Sequence, residues 1–93
     1  MDASKLEQEW AERGFSFGTG TIRAGDGVKE AVHKDQDELV LMETGKFEFI
    51  LDHESFIQEG NSEVLIPAGA IHTINNIGSN DAKIYFGYRS INT

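Results

Sequence analysis

The stretch Gly60-Asn61-Ser62-Glu63-Val64-Leu65-Ile66-Pro67-Ala68-Gly69-Ala70-Ile71-His72-Thr73-Ile74-Asn75-Asn76 decides how the chain folds. Val64–Ile66 is a short apolar strand, and Pro67 ends it because proline cannot donate to a β-ladder. Gly69 allows the positive φ of a tight turn. His72 then opens a new strand, where period two places His72, Ile74 and Asn76 on one face. A second informative stretch lies upstream, from Gly27 to Gly45. There His33 closes one strand, Lys34-Asp35-Gln36-Asp37 form an acidic loop, and Glu38 opens the apolar run Leu39-Val40-Leu41-Met42. A carboxylate on the same face as Val40 and Met42 is costly to bury without a partner.

Working outward, the rest of the chain reads as β. Phe15, Phe17, Thr19 and Thr21 alternate with small residues, and Val28, Glu30 and Val32 alternate with Lys29, Ala31 and His33. Strand-like runs recur at Leu39–Thr44, Phe47–Leu51, Ser55–Gln58, Val64–Ile66, His72–Ile77 and Lys83–Tyr88. Gly-, Asn- and Asp-rich turns separate them. Many short strands at this spacing predict a sandwich or barrel. Leu39–Met42 is apolar at both parities, so this strand is expected to be covered on both faces, by the interior and by the N-terminal helix or a second subunit. One helix is signalled, at about residues 5–13. Ser4 and Glu7 form a capping box, Leu6 and Trp10 share a face, and Gly14 is the stop. The expected organisation is an N-terminal helix over 1–14, packing on the barrel or on a partner subunit, and one barrel domain over 15–93.

Composition removes several classes of partner. With 8 Lys+Arg against 16 Asp+Glu in 93 residues, the net charge is −8. No basic cluster is present to displace counterions from phosphate, so neither nucleic acid nor an anionic membrane is an expected partner. No apolar run is long enough to span a bilayer, and the polar start of the chain shows no signal peptide, so a cytoplasmic setting is expected. Cysteine is absent, which excludes disulfides, thiol catalysis and thiolate-bound metals. A chain of this length buries only roughly 64% of its unfolded surface, so a second copy or a bound metal would add stability. A homodimer is expected through the sheet around Leu39–Met42, with Trp10 at the contact.

The two stretches resemble the paired motifs of the cupin family, of the small single-domain, RmlC-like kind. Gly27, His33, Glu38 and Gly45 match the first motif, G-x5-H-x-H-x3,4-E-x6-G. Pro67, Gly69, His72 and Asn76 match the second, G-x5-P-x-G-x2-H-x3-N. The resemblance implies a double-stranded β-helix, or jelly-roll barrel, with a metal held by histidines and a glutamate. Carried over, it makes His33, Glu38 and His72 the metal ligands. Asp35 stands where the motif has its second histidine and is the fourth candidate, with Asp37 its rival. Alternatively, His33 itself takes the second histidine's place. Gly60 lies six rather than five residues before Pro67.

Two imidazoles and a carboxylate suit a divalent transition metal with open coordination positions: Fe, Mn, Zn or Ni. The expected pocket wall comprises Val40, Met42, Ile74, Asn76, Phe47, Phe86 and Tyr88. Asn76 would orient a ligand or hold a loop. Tyr85 or Tyr88, with Arg89, would anchor a carboxylate. These features predict a metal-binding protein with a small polar metabolite as ligand or substrate, and chemistry of oxygenase or isomerase type. The alternatives are a binding or sensing module without turnover, and a metal-free barrel in which His33 and Glu38 form an ion pair.

Overall fold

A computed structural model describes residues 2–91. The order of elements is α1 (Ala3–Glu12), β1 (Gly18–Ile22), β2 (Gly27–Ala31), β3 (Gln36–Met42), β4 (Lys46–Leu51), β5 (Glu54–Glu59), β6 (Ser62–Ile66), β7 (His72–Asn76) and β8 (Ala82–Ser90). The strands form two antiparallel four-stranded sheets, β1-β8-β3-β6 and β2-β7-β4-β5. Consecutive strands alternate between sheets except at the β4–β5 hairpin, which is the jelly-roll arrangement. The all-β expectation with one N-terminal helix holds.

The helix begins earlier than the capping box predicted. Asp2, not Ser4, is the N-cap, and its carboxylate accepts the amides of Ser4 at 3.0 Å and Lys5 at 3.3 Å. An ionised cap serves the unpaired first-turn amides better than a hydroxyl. The stop is as read: Gly14 has φ +86° and donates to the Ala11 carbonyl, while the Phe15 amide reaches the Trp10 carbonyl.

Strand β3 explains its own double-sided apolarity. Val40 and Met42 face the interior with Ile22, Phe47, Phe49, Val64, Ile66, Ile74 and Ala82. Leu39 and Leu41 face outward, under Trp10, Phe15 and Tyr85. Trp10 is 0% exposed, and its Nε1 donates to Glu63 on β6 at 2.9 Å. The chain's own helix therefore covers the outer face of β3. An association of two copies must use another surface, and Trp10 is not available for it.

Strand β2 departs from the strict alternation expected of it. Val28 pairs with Ile74 and Ala31 with His72, so three residue steps on β2 oppose two on β7. The bulge carries Glu30 at φ +50°, with its amide donating to Thr73 Oγ1 at 3.0 Å. The extra residue inverts the parity, so Val28 and Ala31 both line the same interior as His33.

Candidate metal centre

Three side chains meet at one end of the interior. His33 arrives from the segment after β2, Glu38 from β3 and His72 from the start of β7. One ligand atom from each lies within 4.8 Å of the other two. His33 Nε2 is 3.4 Å from Glu38 Oε1, and His72 Nε2 is 3.5 Å from the same oxygen. These separations exceed the roughly 2.7–2.9 Å of a charge-assisted hydrogen bond. Glu38 is only 6% exposed, and its Oε1 is buried with no hydrogen-bond partner.

The surrounding chain fixes each of these side chains. The loop between β6 and β7 is tied down by its backbone: Ala68 donates to Asp37 Oδ1 at 2.9 Å, Gly69 to the His33 carbonyl at 2.9 Å, and Ile71 to Asp52 Oδ1 at 3.0 Å. Gly69 sits at φ +86°, as the turn requires. His72 Nδ1 lies 3.3 Å from the Ala70 carbonyl. With the proton on Nδ1 the ring donates there, and Nε2 presents its lone pair to the cluster. The Tyr88 hydroxyl hydrogen-bonds the Glu38 carboxylate. Its ring meets that of His33 edge-on, with centroids 5.0 Å apart.

Burial shapes the electrostatics. Desolvation pushes the Glu38 carboxyl up to about 7, with the Tyr88 hydrogen bond acting weakly against it. Desolvation also pushes His72 down, with the neighbouring His33 adding to the effect. A buried carboxyl that resists ionisation and an imidazole that burial biases toward its neutral form thus face each other, with the His33 ring beside them. A cation with lone-pair acceptors on three sides resolves that conflict, so the donor set fits a divalent transition metal.

The cluster opens onto a cavity of about 270 Å³, lined by Ile22, Val28, Ala31, Val40, Ile74, Ile84 and Phe86 besides His33, Glu38, His72 and Tyr88. Of the expected wall, Val40, Ile74, Phe86 and Tyr88 are in place. Met42 and Phe47 belong instead to the closed apolar core beyond it. Asn76 is fully buried elsewhere: its amide donates to the carbonyls of Ile22 (2.9 Å) and Asn80 (3.0 Å), and its oxygen accepts from Gly78 (3.0 Å). It holds a loop and orients no ligand. Ile84 and Phe86 show which parity of β8 faces inward. Tyr85 therefore packs under the helix, and Arg89 pairs with Asp37 at 2.9 Å and lies over Phe15, so neither anchors a substrate. Asp35 is exposed on the loop and, with Asp37, lies outside the cluster. Ile22, Val28 and Ala31 were missed; the bulge hides the parity of Val28, whereas Ala31 shares that of His33.

No family model matches the sequence. Solved structures match closely in shape. The Schizosaccharomyces pombe Cnp3 cupin domain superposes with a TM-score of 0.78 at 22% identity, over 85% of this chain and 58% of that one. The fold is that of a cupin. A predicted oxalate decarboxylase from Thermotoga maritima superposes with a TM-score of 0.77 at 16% identity, over 90% of this chain and 74% of that one. In sequence, polyketide synthase CurC of Streptomyces cyaneus is 30% identical over 76 residues, which is 82% of this chain and 49% of the relative. The chain thus spans about half the length of that curated relative. Among the described residues, no helix is long and apolar enough to cross a membrane.

Proposed function

We propose that this cupin binds a divalent transition metal (Fe, Mn, Zn or Ni) through His33 Nε2, Glu38 Oε1 and His72 Nε2. The ion's open side would then serve oxygenase- or isomerase-type chemistry on a small molecule in the cavity. The observation that carries the reading is the buried Glu38 oxygen that has no hydrogen-bond partner and is faced by two imidazole nitrogens. Such a metal supplies Lewis acidity or redox chemistry. The chain's own residues do the rest. The tied β6–β7 loop sets His72, Tyr88 holds the Glu38 carboxylate, and the apolar walls keep water from the reacting end. The relative's description as a polyketide synthase supports catalysis over an empty barrel.

The test is metal analysis of untagged protein after anaerobic Fe(II) loading, beside His72→Ala. About one equivalent in the wild type and none in the variant is expected. Less than about a tenth of an equivalent in the wild type overturns the reading.

One observation favours binding without turnover. Every polar side chain lining the cavity is a ligand candidate or bonds to one, which leaves no separate general acid or base. A ligand that raises Tm equally with and without chelator decides for that second reading. A homodimer and a cytoplasmic setting complete the proposal. The dimer is supported by Ile57 and Leu65, each 49% exposed on the edge strands β5 and β6. Sedimentation showing a single-chain species at micromolar concentration refutes it.

A further inference from the structure

The cavity that the centre opens onto has a chemistry of its own. Its walls away from the ligands are Ile22, Val28, Ala31, Val40, Ile74, Ile84 and Phe86, and no lysine or arginine lines it. The basic residues next to wall positions in sequence, Arg23, Lys29 and Lys83, are exposed, and Arg89, beside Tyr88, is turned to the opposite face and paired with Asp37. A polar metabolite would lose its hydration here and find partners only at the metal end. A dianion would do so within a protein of net charge −8. The volume is about 270 Å³. An apolar cavity of roughly 150 Å³ already holds benzene, so this one accommodates a single substituted ring. Val28, 41% exposed, lies both in the wall and on the surface, and so marks the mouth.

We infer that the ligand is a compact, mostly apolar ring compound bearing a phenolic or enolic oxygen: the oxygen meets the metal and the ring body fills the Ile22–Phe86 end. This replaces the small polar metabolite expected from sequence, and it rests on the metal reading above. The ligand's apolar body supplies the favourable burial, while its phenolic or enolic oxygen, or an adjacent pair of them as in catechol, meets the polar end of the cavity. A small dicarboxylate of the oxalate kind has no such body and meets no cationic side chain.

The experiment uses Co(II)-loaded protein, with the cobalt visible spectrum read first as proof that the metal is bound. Catechol and oxalate are then titrated separately, in the loaded and the metal-free protein. Catechol is expected to shift the cobalt bands and to bind at least tenfold more tightly than oxalate, and more tightly to loaded than to metal-free protein. The mouth variant Val28→Lys, at a partly exposed site, is expected to narrow or invert that preference with the cobalt spectrum intact. Oxalate binding as tightly as catechol to the wild type, with cobalt in place, overturns this inference and leaves the metal reading standing. Equal catechol affinity with and without cobalt also overturns it. Failure of cobalt to bind at all overturns the metal reading and this inference together.

Discussion

The two ends of the barrel interior are built from the same strands and treat their polar groups in opposite ways. On β7, Asn76 and His72 lie four residues apart and face the same side. Asn76, at the closed end, has both amide groups bonded, to Ile22, Asn80 and Gly78. At the open end the counterpart is Glu38, whose buried oxygen bonds to nothing. On β3 the same contrast separates Met42, in the apolar core, from Glu38. A buried polar group whose hydrogen bonds are all made is part of the scaffold. One left unmade costs stability, and its retention points to a ligand that satisfies it. The contrast is open to experiment by removing side chains at each end.

The largest expected effect is at the closed end. Phe47→Ala empties a fully buried position in the main core and should cost about 3–5 kcal/mol in denaturant unfolding, close to the whole stability of a small domain. A cost below about 1 kcal/mol would mean that this end is not the structural core.

Next comes Glu38→Gln, which separates the two ends by sign. Metal affinity should fall by more than about 100-fold, whereas the metal-free protein should become more stable at pH 8. Glu38 has a folded pKa raised from 4.5 to about 7. Its favourable contribution is therefore present below pH 4.5 and lost as pH rises through 7, a span worth about 3 kcal/mol. His72, pushed down by burial, acts in the opposite direction, losing stability as pH falls below 6.5. The comparison of wild type with variant isolates the carboxylate. The gain from Glu38→Gln should be near zero at about pH 4, the unfolded pKa being 4.5, and largest at about pH 8, read by urea unfolding with chelator present. A gain independent of pH would show that Glu38 is not a buried carboxylate. Asn76→Ala, by contrast, should destabilise by about 1–3 kcal/mol at every pH, because it strands the Ile22 and Asn80 carbonyls. It should leave metal stoichiometry unchanged.

These two ends were unequally legible in the sequence. Local rules sufficed for the turn at Pro67–Gly69, the restart at His72 and the double-faced strand Leu39–Met42, since each is set by backbone geometry or by burial on both faces. His33, Glu38 and His72 followed from motif spacing, and the structure brings all three together. What escaped was whatever depends on register between strands. The bulge in β2 inverts Val28 relative to His33, and nothing in Val28-Lys29-Glu30-Ala31 marks the residue that leaves the ladder. The parity of β8 was open because Tyr85 and Phe86 are both large and both find a covered face, one under the helix and one in the cavity. Arg89 reads as a substrate anchor until its pairing with Asp37 is seen, and that contact spans 52 positions of sequence.

The smallest effect tests whether the open end is held as firmly as the closed one. Tyr88 bonds the Glu38 carboxylate through its hydroxyl and packs edge-on against His33, so it touches two of the three ligand candidates. Burial and the adjacent carboxylate both keep the phenol protonated, and so a donor. Tyr88→Phe keeps the ring against His33 and removes only the hydroxyl. Outer partners of metal ligands are worth about 10–100-fold in affinity. Because only one of the three ligands loses its partner, a loss of about tenfold is expected, with Tm of the metal-free protein moving little. Tyr88→Leu removes the ring as well and should lower affinity further. If Phe binds metal as tightly as Tyr, the hydroxyl does not orient Glu38, and the rigidity of β3 alone aims the carboxylate. If Phe and Leu lose affinity equally, the ring adds nothing to the placement of His33, and the loop tied to its carbonyl by Gly69 does that work instead.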